Sequence, residues 1–359
     1  MATVRIIEYM KKSKLTIGLV VPGATALVSL LVAFSIASHT HQSSRLGLVA
    51  KVPVATPTPT PILNSIQIEA IRARPYVASP LTVTQNLGDQ GGYHEAINSY
   101  ISDNLTQYTL VSTPNGAKPT GGWPVVIVAH GYIDPAAYLT AGVSYSGIIS
   151  ELARAGYLVV KPDYRGHGKS QGSAEGGHFS PVYSYDILNL IASLKKYPDA
   201  NPARIGLLGH SLGGHVALRT IVASKDVKAT VFMAGVVGSL HDVMYAWPHS
   251  PLPMDRPAAL VQSTRTSLLA KYGTPEANPD FWNTASAINY VKNISGAVQI
   301  NHAVGDSVVP VTFSDHLNTA LINQHKYVEY FQYPGNDHNF SANHTLLMKR
   351  ILAFYAAHL

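Results

Sequence analysis

At 359 residues, with an apolar share of 46%, the chain can bury one large core or two small ones. It has no cysteine, which excludes disulfides, thiolate zinc sites and cysteine nucleophiles. Its net charge of +6 is concentrated at the front, where residues 1–51 hold six basic side chains against Glu8 alone; the remainder balances 20 basic with 19 acidic residues, which excludes a basic nucleic-acid-binding face.

The basic segment 1–14, with Arg5, Lys11, Lys12 and Lys14, precedes an almost continuously apolar run over 15–37, long enough to span a bilayer. Two readings of that run stay open. One is an uncleaved signal anchor with residues 1–14 cytoplasmic. The other is a long signal peptide cut near Ser35-Ile36-Ala37. The run exceeds the roughly 7–15 residues of a signal-peptide core, which favours the anchor. Either way the globular part is expected outside the cytoplasm, membrane-anchored or secreted. Residues 38–61 form a linker in which Thr56-Pro57-Thr58-Pro59-Thr60-Pro61 is held extended by alternating prolines. The globular domain is expected over 62–359.

A short helix is predicted within 66–73. Strand-like alternation follows at 81–85, 95–101 and 107–112, suggesting an antiparallel edge ahead of a parallel sheet. From Val125 the pattern becomes β–α–β–α. Strands are predicted at 125–129, 157–160, 204–208, 230–234, 298–300 and 328–333. Helices are predicted near 148–155, 187–194, 216–222, 314–322 and 345–357. The expected fold class is α/β, a mostly parallel central sheet of about eight strands with helices on both faces. The alternation lapses between Gly235 and Asn289, where Trp247, Pro248, Pro251, Pro253 and Trp282 fall. Segment 236–289 reads as a small lid-like insertion over the strand C-termini, where open α/β sheets place their ligands. The alternative is a long surface connection.

The most informative stretch is Gly209-His210-Ser211-Leu212-Gly213-Gly214, between the apolar run 204–208 and the helical pattern 216–222. G-x-S-x-G in a strand–turn–helix setting is a nucleophile elbow. A turn that tight strains its central residue and leaves no room for side chains beside it, so Gly209 and Gly213 sit where crowding is worst. Ser211 is then presented at a helix N-terminus, where backbone N–H groups favour an oxyanion.

A serine needs a base to remove its proton, and the base needs a third group to orient it. In this setting the chain order is serine, acid, histidine. Asp306, past the strand at 298–300, and His338, past the last strand, fit that order and complete the expected set Ser211, Asp306 and His338. Asp337 is the competing acid, but an immediate neighbour of His338 has difficulty facing the same imidazole. His130, His210 and His302 are read as strand-end residues that pack or hydrogen-bond locally. His167 and Arg165 are read as stabilising their own loop. The two oxyanion donors are expected to be the backbone N–H groups of Leu212 and Tyr132. No metal and no cofactor is expected, since nothing resembles HExxH, GxGxxG or a phosphate-binding loop.

Taken as an ordered set, His130-Gly131-Tyr132, Pro162-Asp163-Tyr164-Arg165-Gly166-His167-Gly168, the elbow, Asp306-Ser307-Val308-Val309-Pro310 and the run from Tyr333 to Phe340 resemble a known group. They are similar to the catalytic domain of prolyl-oligopeptidase-type serine peptidases (family S9) and the related dienelactone-hydrolase-like esterases. The resemblance runs from about Asn98 to the end of the chain. It implies an α/β-hydrolase sheet and a Ser211–Asp306–His338 triad. The large peptidases of that group carry a gating β-propeller for which 62–124 is far too short, and the Glu-Glu amine-binding motif of the dipeptidyl enzymes is absent.

The function expected is an exported serine hydrolase acting through an acyl-enzyme on a short peptide or small ester. The peptidase and carboxylesterase readings both stand. A non-catalytic binding module on the same fold is the alternative of another class. A lid that docks lipid interfaces would rest on Trp247 and the apolar N-terminal run. The expected partners are that small substrate and, through residues 15–37, a membrane; nucleic acid is not among them.

Overall fold

The computed structural model describes residues 66–175, 177–247, 258–335 and 337–359. The basic N-terminus 1–14, the apolar run 15–37 and the linker 38–61 lie outside the described residues, as do Pro248, Pro251 and Pro253 of the insertion. Among the described residues no helix is long and apolar enough to cross a membrane.

A short helix α1 (Ile68–Ala73) leads into three strands, β1 (Thr82–Asp89), β2 (Tyr93–Ser102) and β3 (Leu105–Pro114), paired antiparallel in sequence. Then β4 (Trp123–Ala129), α2 (Ser146–Arg154), β5 (Leu158–Pro162), α3 (Val182–Leu194) and β6 (Ala200–His210) begin the alternating part. It continues through α4 (Leu212–Ala223), β7 (Val227–Met233), α5 (Leu240–Tyr245), α6 (Ala258–Tyr272) and α7 (Pro279–Ala285). The chain closes with β8 (Ala297–Ala303), α8 (Val311–Asn323), β9 (Val328–Tyr333) and α9 (His344–His358).

These strands form one sheet in the order β1-β2-β3-β5-β4-β6-β7-β8-β9. Pairing is antiparallel from β1 through β3 to β5 and parallel from β5 onward. Among the described residues nine strands stand where about eight are expected. The antiparallel edge accounts for three of the nine, and its outermost member, β1, is largely exposed along its length. Its Thr, Gln, Asn and Asp residues suit a solvated edge rather than a core.

The unbroken apolar run of β4 is explained by burial on both sides. Val125, Ile127 and Ala129 enter the core that holds α3, α4 and α8, while Val126 and Val128 enter the core that holds α2 and α9. Alternate residues of a strand face opposite ways, so a central strand covered twice must be apolar at every position. Helix α2 shows the complementary pattern, burying Ile148, Ile149, Leu152 and Ala153 on one stripe. It closes as predicted at Gly156, whose φ of +94° only glycine adopts without strain.

Past β5 the chain is fastened by charge. Arg165 Nη2 lies 2.6 Å from Asp186 Oδ1 on α3 and 3.0 Å from Asp103 Oδ2 in the β2–β3 turn. Arg165 therefore stabilises its own loop as expected, and His167 Nδ1 lies 3.3 Å from Arg165 O within the same loop. From α4, the buried Arg219 donates to the carbonyls of Ser180 and His178, each at 2.8 Å.

Candidate active site

The turn between β6 and α4 places Ser211 at φ 54°, ψ −120°, outside the conformations open to an ordinary L-residue. Holding a residue there costs roughly 1–3 kcal/mol, which the neighbours must offset. They do so through the backbone. Ser211 N–H donates to Met233 O at 3.0 Å, and Ser211 O accepts from Gly214 at 2.9 Å and Val236 at 3.0 Å. The flanking glycines are required by space. A Cβ on Gly209 would lie 2.5 Å from Gly213 O, and one on Gly213 only 1.9 Å from Ala129 O.

Asp306 and His338 leave adjacent strands, and their loops are laced together before the side chains meet. Val304 N–H donates to Tyr333 O at 2.9 Å and Gly305 N–H to Gly335 O at 2.8 Å. Phe340, fully buried against Tyr333, anchors the far side of the histidine loop. Within that frame His338 Nδ1 lies 2.7 Å from Asp306 Oδ2. A carboxylate only accepts, so Nδ1 carries the proton and Nε2 keeps the lone pair a general base needs.

The Asp306 carboxylate is saturated. Oδ1 accepts from the N–H groups of Val308 at 2.8 Å and Val309 at 3.0 Å, and His302 Nε2 approaches Oδ2 at 3.2 Å. Burial alone would raise its pKa. The hydrogen bonds from His302, His338 and Val309 outweigh burial and hold it well below the ordinary carboxylate range. The acid is therefore ionised whenever the imidazolium it faces would form. Asp337 is engaged elsewhere, accepting from Asn339 at 3.0 Å and Ala342 at 3.0 Å to cap the next turn.

Two histidines read from sequence as packing or hydrogen-bonding locally also reach the site. His302 donates to Asp306 and to Val309 O at 3.0 Å, while its Nδ1 meets Ser314 Oγ at 2.7 Å. His210, immediately before Ser211, places Nε2 3.1 Å from His338 O, with the two rings 4.9 Å apart. The signal available in sequence is the i, i+4 spacing of His302 and Asp306, which no secondary-structure pattern picks out in a strand-to-loop segment. His130 does bond locally, Nδ1 to Gly131 O at 2.7 Å, as expected.

That last contact orients the loop after β4. With Gly131 C=O turned toward His130 and the peptide trans, the N–H of Tyr132 points the opposite way. Gly131 itself lies against the nucleophile, since a Cβ there would stand 3.1 Å from Ser211 Cβ. Leu212 is the first residue of α4, so its N–H has no acceptor within the helix. These are the two amides expected to face an oxyanion. With Ser211 on the elbow, His338 as base and Asp306 orienting it, the arrangement suits acyl transfer.

The insertion contributes α5, α6 and α7. Its Trp247 donates Nε1–H to Val308 O at 2.7 Å and packs against Phe313 and His178. That indole is thereby tied to the loop that carries Asp306 rather than offered to a lipid surface.

Comparison with known proteins agrees with this fold. The model of the family described as serine aminopeptidase, S33, matches residues 123–272. The uncharacterized peptidase YtmA of Bacillus subtilis is 23% identical over 249 residues, covering 67% of this chain and 88% of its own. Among solved structures, the acylaminoacyl peptidase of Pyrococcus horikoshii superposes with a TM-score of 0.60 at 21% identity, over 75% of this chain and 42% of that one. The acetyl xylan esterase from Paenibacillus sp. R4 does so with a TM-score of 0.60 at 17% identity, over 81% of this chain and 92% of that one. This chain thus spans about two fifths of the solved peptidase and nearly all of the esterase.

Proposed function

We propose that this serine hydrolase of the α/β-hydrolase fold is an exported peptidase acting on short peptides through an acyl-enzyme on Ser211. The observation that carries the chemistry is the 2.7 Å contact between an ionised, fourfold-supported Asp306 and Nδ1 of His338, whose backbone is met at 3.1 Å by His210, the residue before the strained Ser211. His338 Nε2 takes the Ser211 proton as Oγ attacks a carbonyl carbon. The imidazolium is stabilised by Asp306, and the oxyanion is held by the N–H groups of Leu212 and Tyr132. His338 then returns the proton to the leaving group, and water repeats the sequence to free the enzyme.

The peptidase reading is supported by the likeness to a protein named a peptidase over most of that protein's length. A second reading, a carboxylesterase, is favoured by the near-complete coverage of an acetyl xylan esterase. Export is supported by the basic cluster and apolar run at the front of the sequence.

Peptide p-nitroanilides and p-nitrophenyl acetate and butyrate, offered to the full-length protein and its Ser211→Ala variant, separate these readings. Anilide turnover that disappears in the variant supports a peptidase. Turnover of esters alone supports the esterase, and equal turnover by the variant removes Ser211 from the chemistry altogether.

A further inference from the structure

The loop that approaches Ser211 from β4 and the loop that carries His338 come from strands far apart in the sheet, yet a continuous set of contacts joins them. Gly131 N–H donates to Tyr145 Oη at 2.6 Å. Tyr145 Oη stands 2.7 Å from His210 Nδ1, and His210 Nε2 stands 3.1 Å from His338 O. The protons can be placed. A carbonyl oxygen only accepts, so His210 Nε2 bears the hydrogen. His210 Nδ1 is then an acceptor if the ring is neutral, and the Tyr145 hydroxyl donates to it.

The ring is neutral. Burial pushes the His210 pKa down to about 3, and the neighbouring His338 pushes it the same way. Burial also pushes the Tyr145 phenol up, outweighing the Gly131 N–H that it accepts. Neither group changes its proton count at any pH where the protein would work, so the contacts act as a fixed support and not as a proton shuttle. Tyr145 itself is held at φ 68°, ψ 4°, a left-handed conformation unusual for a bulky residue. Its side chain makes no capping bond to α2, beside which it sits. The strained backbone is compatible with placing the hydroxyl between Gly131 and His210.

We infer that Tyr145 and His210 are positioning residues that lock the oxyanion loop at Gly131 to the general-base loop at His338 across Ser211. The inference rests on the acyl-transfer reading above and adds two residues to it. Gly131 is held at both ends of its backbone, N–H by Tyr145 and C=O by His130, so the peptide that presents Tyr132 N–H has a defined plane. His338 is likewise held twice, by its ring on Asp306 and by its carbonyl on His210. Loosening either anchor displaces reacting groups by fractions of an ångström, which acts on the transition state more than on substrate binding.

The test compares Tyr145→Phe, His210→Leu, His210→Gln and the Tyr145→Phe/His210→Leu double variant on p-nitrophenyl butyrate. Inactivation by a fluorophosphonate, whose phosphoryl oxygen takes the oxyanion position, is measured in parallel. Expected for each of Tyr145→Phe and His210→Leu is a fall in kcat of about 10- to 100-fold with KM within about threefold. Fluorophosphonate inactivation should slow with kcat. The double variant should be no worse than the weaker single one, because cutting one chain twice removes one function. His210→Gln, which offers both an acceptor and a donor, should retain more activity than His210→Leu. Wild-type kcat in Tyr145→Phe, losses that multiply in the double variant, or losses confined to KM overturn the inference. If Tyr145→Phe does not fold, equal activity of the two His210 variants overturns it alone. A wild-type protein that fluorophosphonate leaves unlabelled at Ser211 defeats the acyl-transfer reading itself, whereas labelling of all variants at the wild-type rate defeats only the positioning role of Tyr145 and His210.

Discussion

Replacing Asp306 by Asn exchanges one oxygen for one NH2 group and should nearly silence the enzyme without unfolding it. The orientation of the new amide is dictated by its surroundings. Oδ1 accepts from Val308 and Val309 N–H at 2.8 and 3.0 Å, a position only an oxygen can fill. The amide nitrogen must therefore replace Oδ2, 2.7 Å from His338 Nδ1 and 3.2 Å from His302 Nε2. There a donor meets a donor. His338 escapes by carrying its proton on Nε2, which leaves Nδ1 to accept from the amide. The nitrogen that must take the Ser211 proton is then already occupied. A wrong tautomer of this kind costs about 10^4 in kcat, or roughly 5.5 kcal/mol at about 1.36 kcal/mol per tenfold. Folding should suffer far less, because His302 keeps Val309 O as an acceptor at 3.0 Å; about 1–2 kcal/mol is expected. Steady-state kcat on p-nitrophenyl butyrate at pH 8 and the thermal midpoint of the same sample are the measurements. A variant that keeps more than about a tenth of wild-type kcat would remove Asp306 from the orienting role.

Two further outcomes follow from the same packing. Gly213→Ala would drive a Cβ to 1.9 Å from Ala129 O and 2.5 Å from Ala129 C, backbone atoms at the end of a central strand that cannot rotate aside. Overpacking of that severity should cost about 3 kcal/mol or more and lower the thermal midpoint by many degrees; an unchanged midpoint contradicts so close an approach of the elbow to β4. Asp163 tests electrostatics instead. Burial raises its pKa to about 6, against the lowering effect of hydrogen bonds from Thr140 and Tyr138. Between the unfolded value near ~4 and about 6 the folded state binds the extra proton, so this group's contribution to stability falls as pH rises through that window. Asp163→Asn should therefore gain unfolding free energy relative to the wild type from pH 4 to 6 and hold a constant difference above it. Parallel stability curves across that window would show that the Asp163 carboxyl is not withdrawn from water.

Most of the sheet is legible from local pattern. Every strand from β4 onward contains a short β-branched or aliphatic run that signals it, and the predicted spans overlap the observed strands, with 157–160 and 230–234 each overhanging one end by a single residue. Lys161, Gln299 and Asn301 are buried polar residues within these strands that no apolar run announces. The elbow is legible because one backbone conformation demands glycines at fixed offsets, a constraint written within six residues. Segment 236–289 is less so. Its helices α5 and α7 are only 6 and 7 residues long, too short to show a helical period. His210 and Tyr145 escape the reading for another reason. Their partners lie 65 and 128 residues away along the chain, and neither histidine-to-carbonyl nor phenol-to-imidazole contacts impose any local pattern.

The sheet order explains why such contacts are needed. Ser211 follows β6, Asp306 follows β8 and His338 follows β9, while Gly131 follows β4. Neighbouring strands are about 4.8 Å apart, so the backbone exits of β6 and β9, three steps apart, are separated by about 14 Å. Adjacent strands deliver Asp306 and His338 to each other with little help. Strand register alone cannot bring His338 to Ser211; the histidine loop has to lean back across β7 and β8. A loop leaning that far samples many positions unless something on the serine side holds it. His210 is the residue placed to do so, because it shares the elbow backbone with Ser211 and grips the backbone of His338 rather than its ring, leaving Nε2 of the base unencumbered.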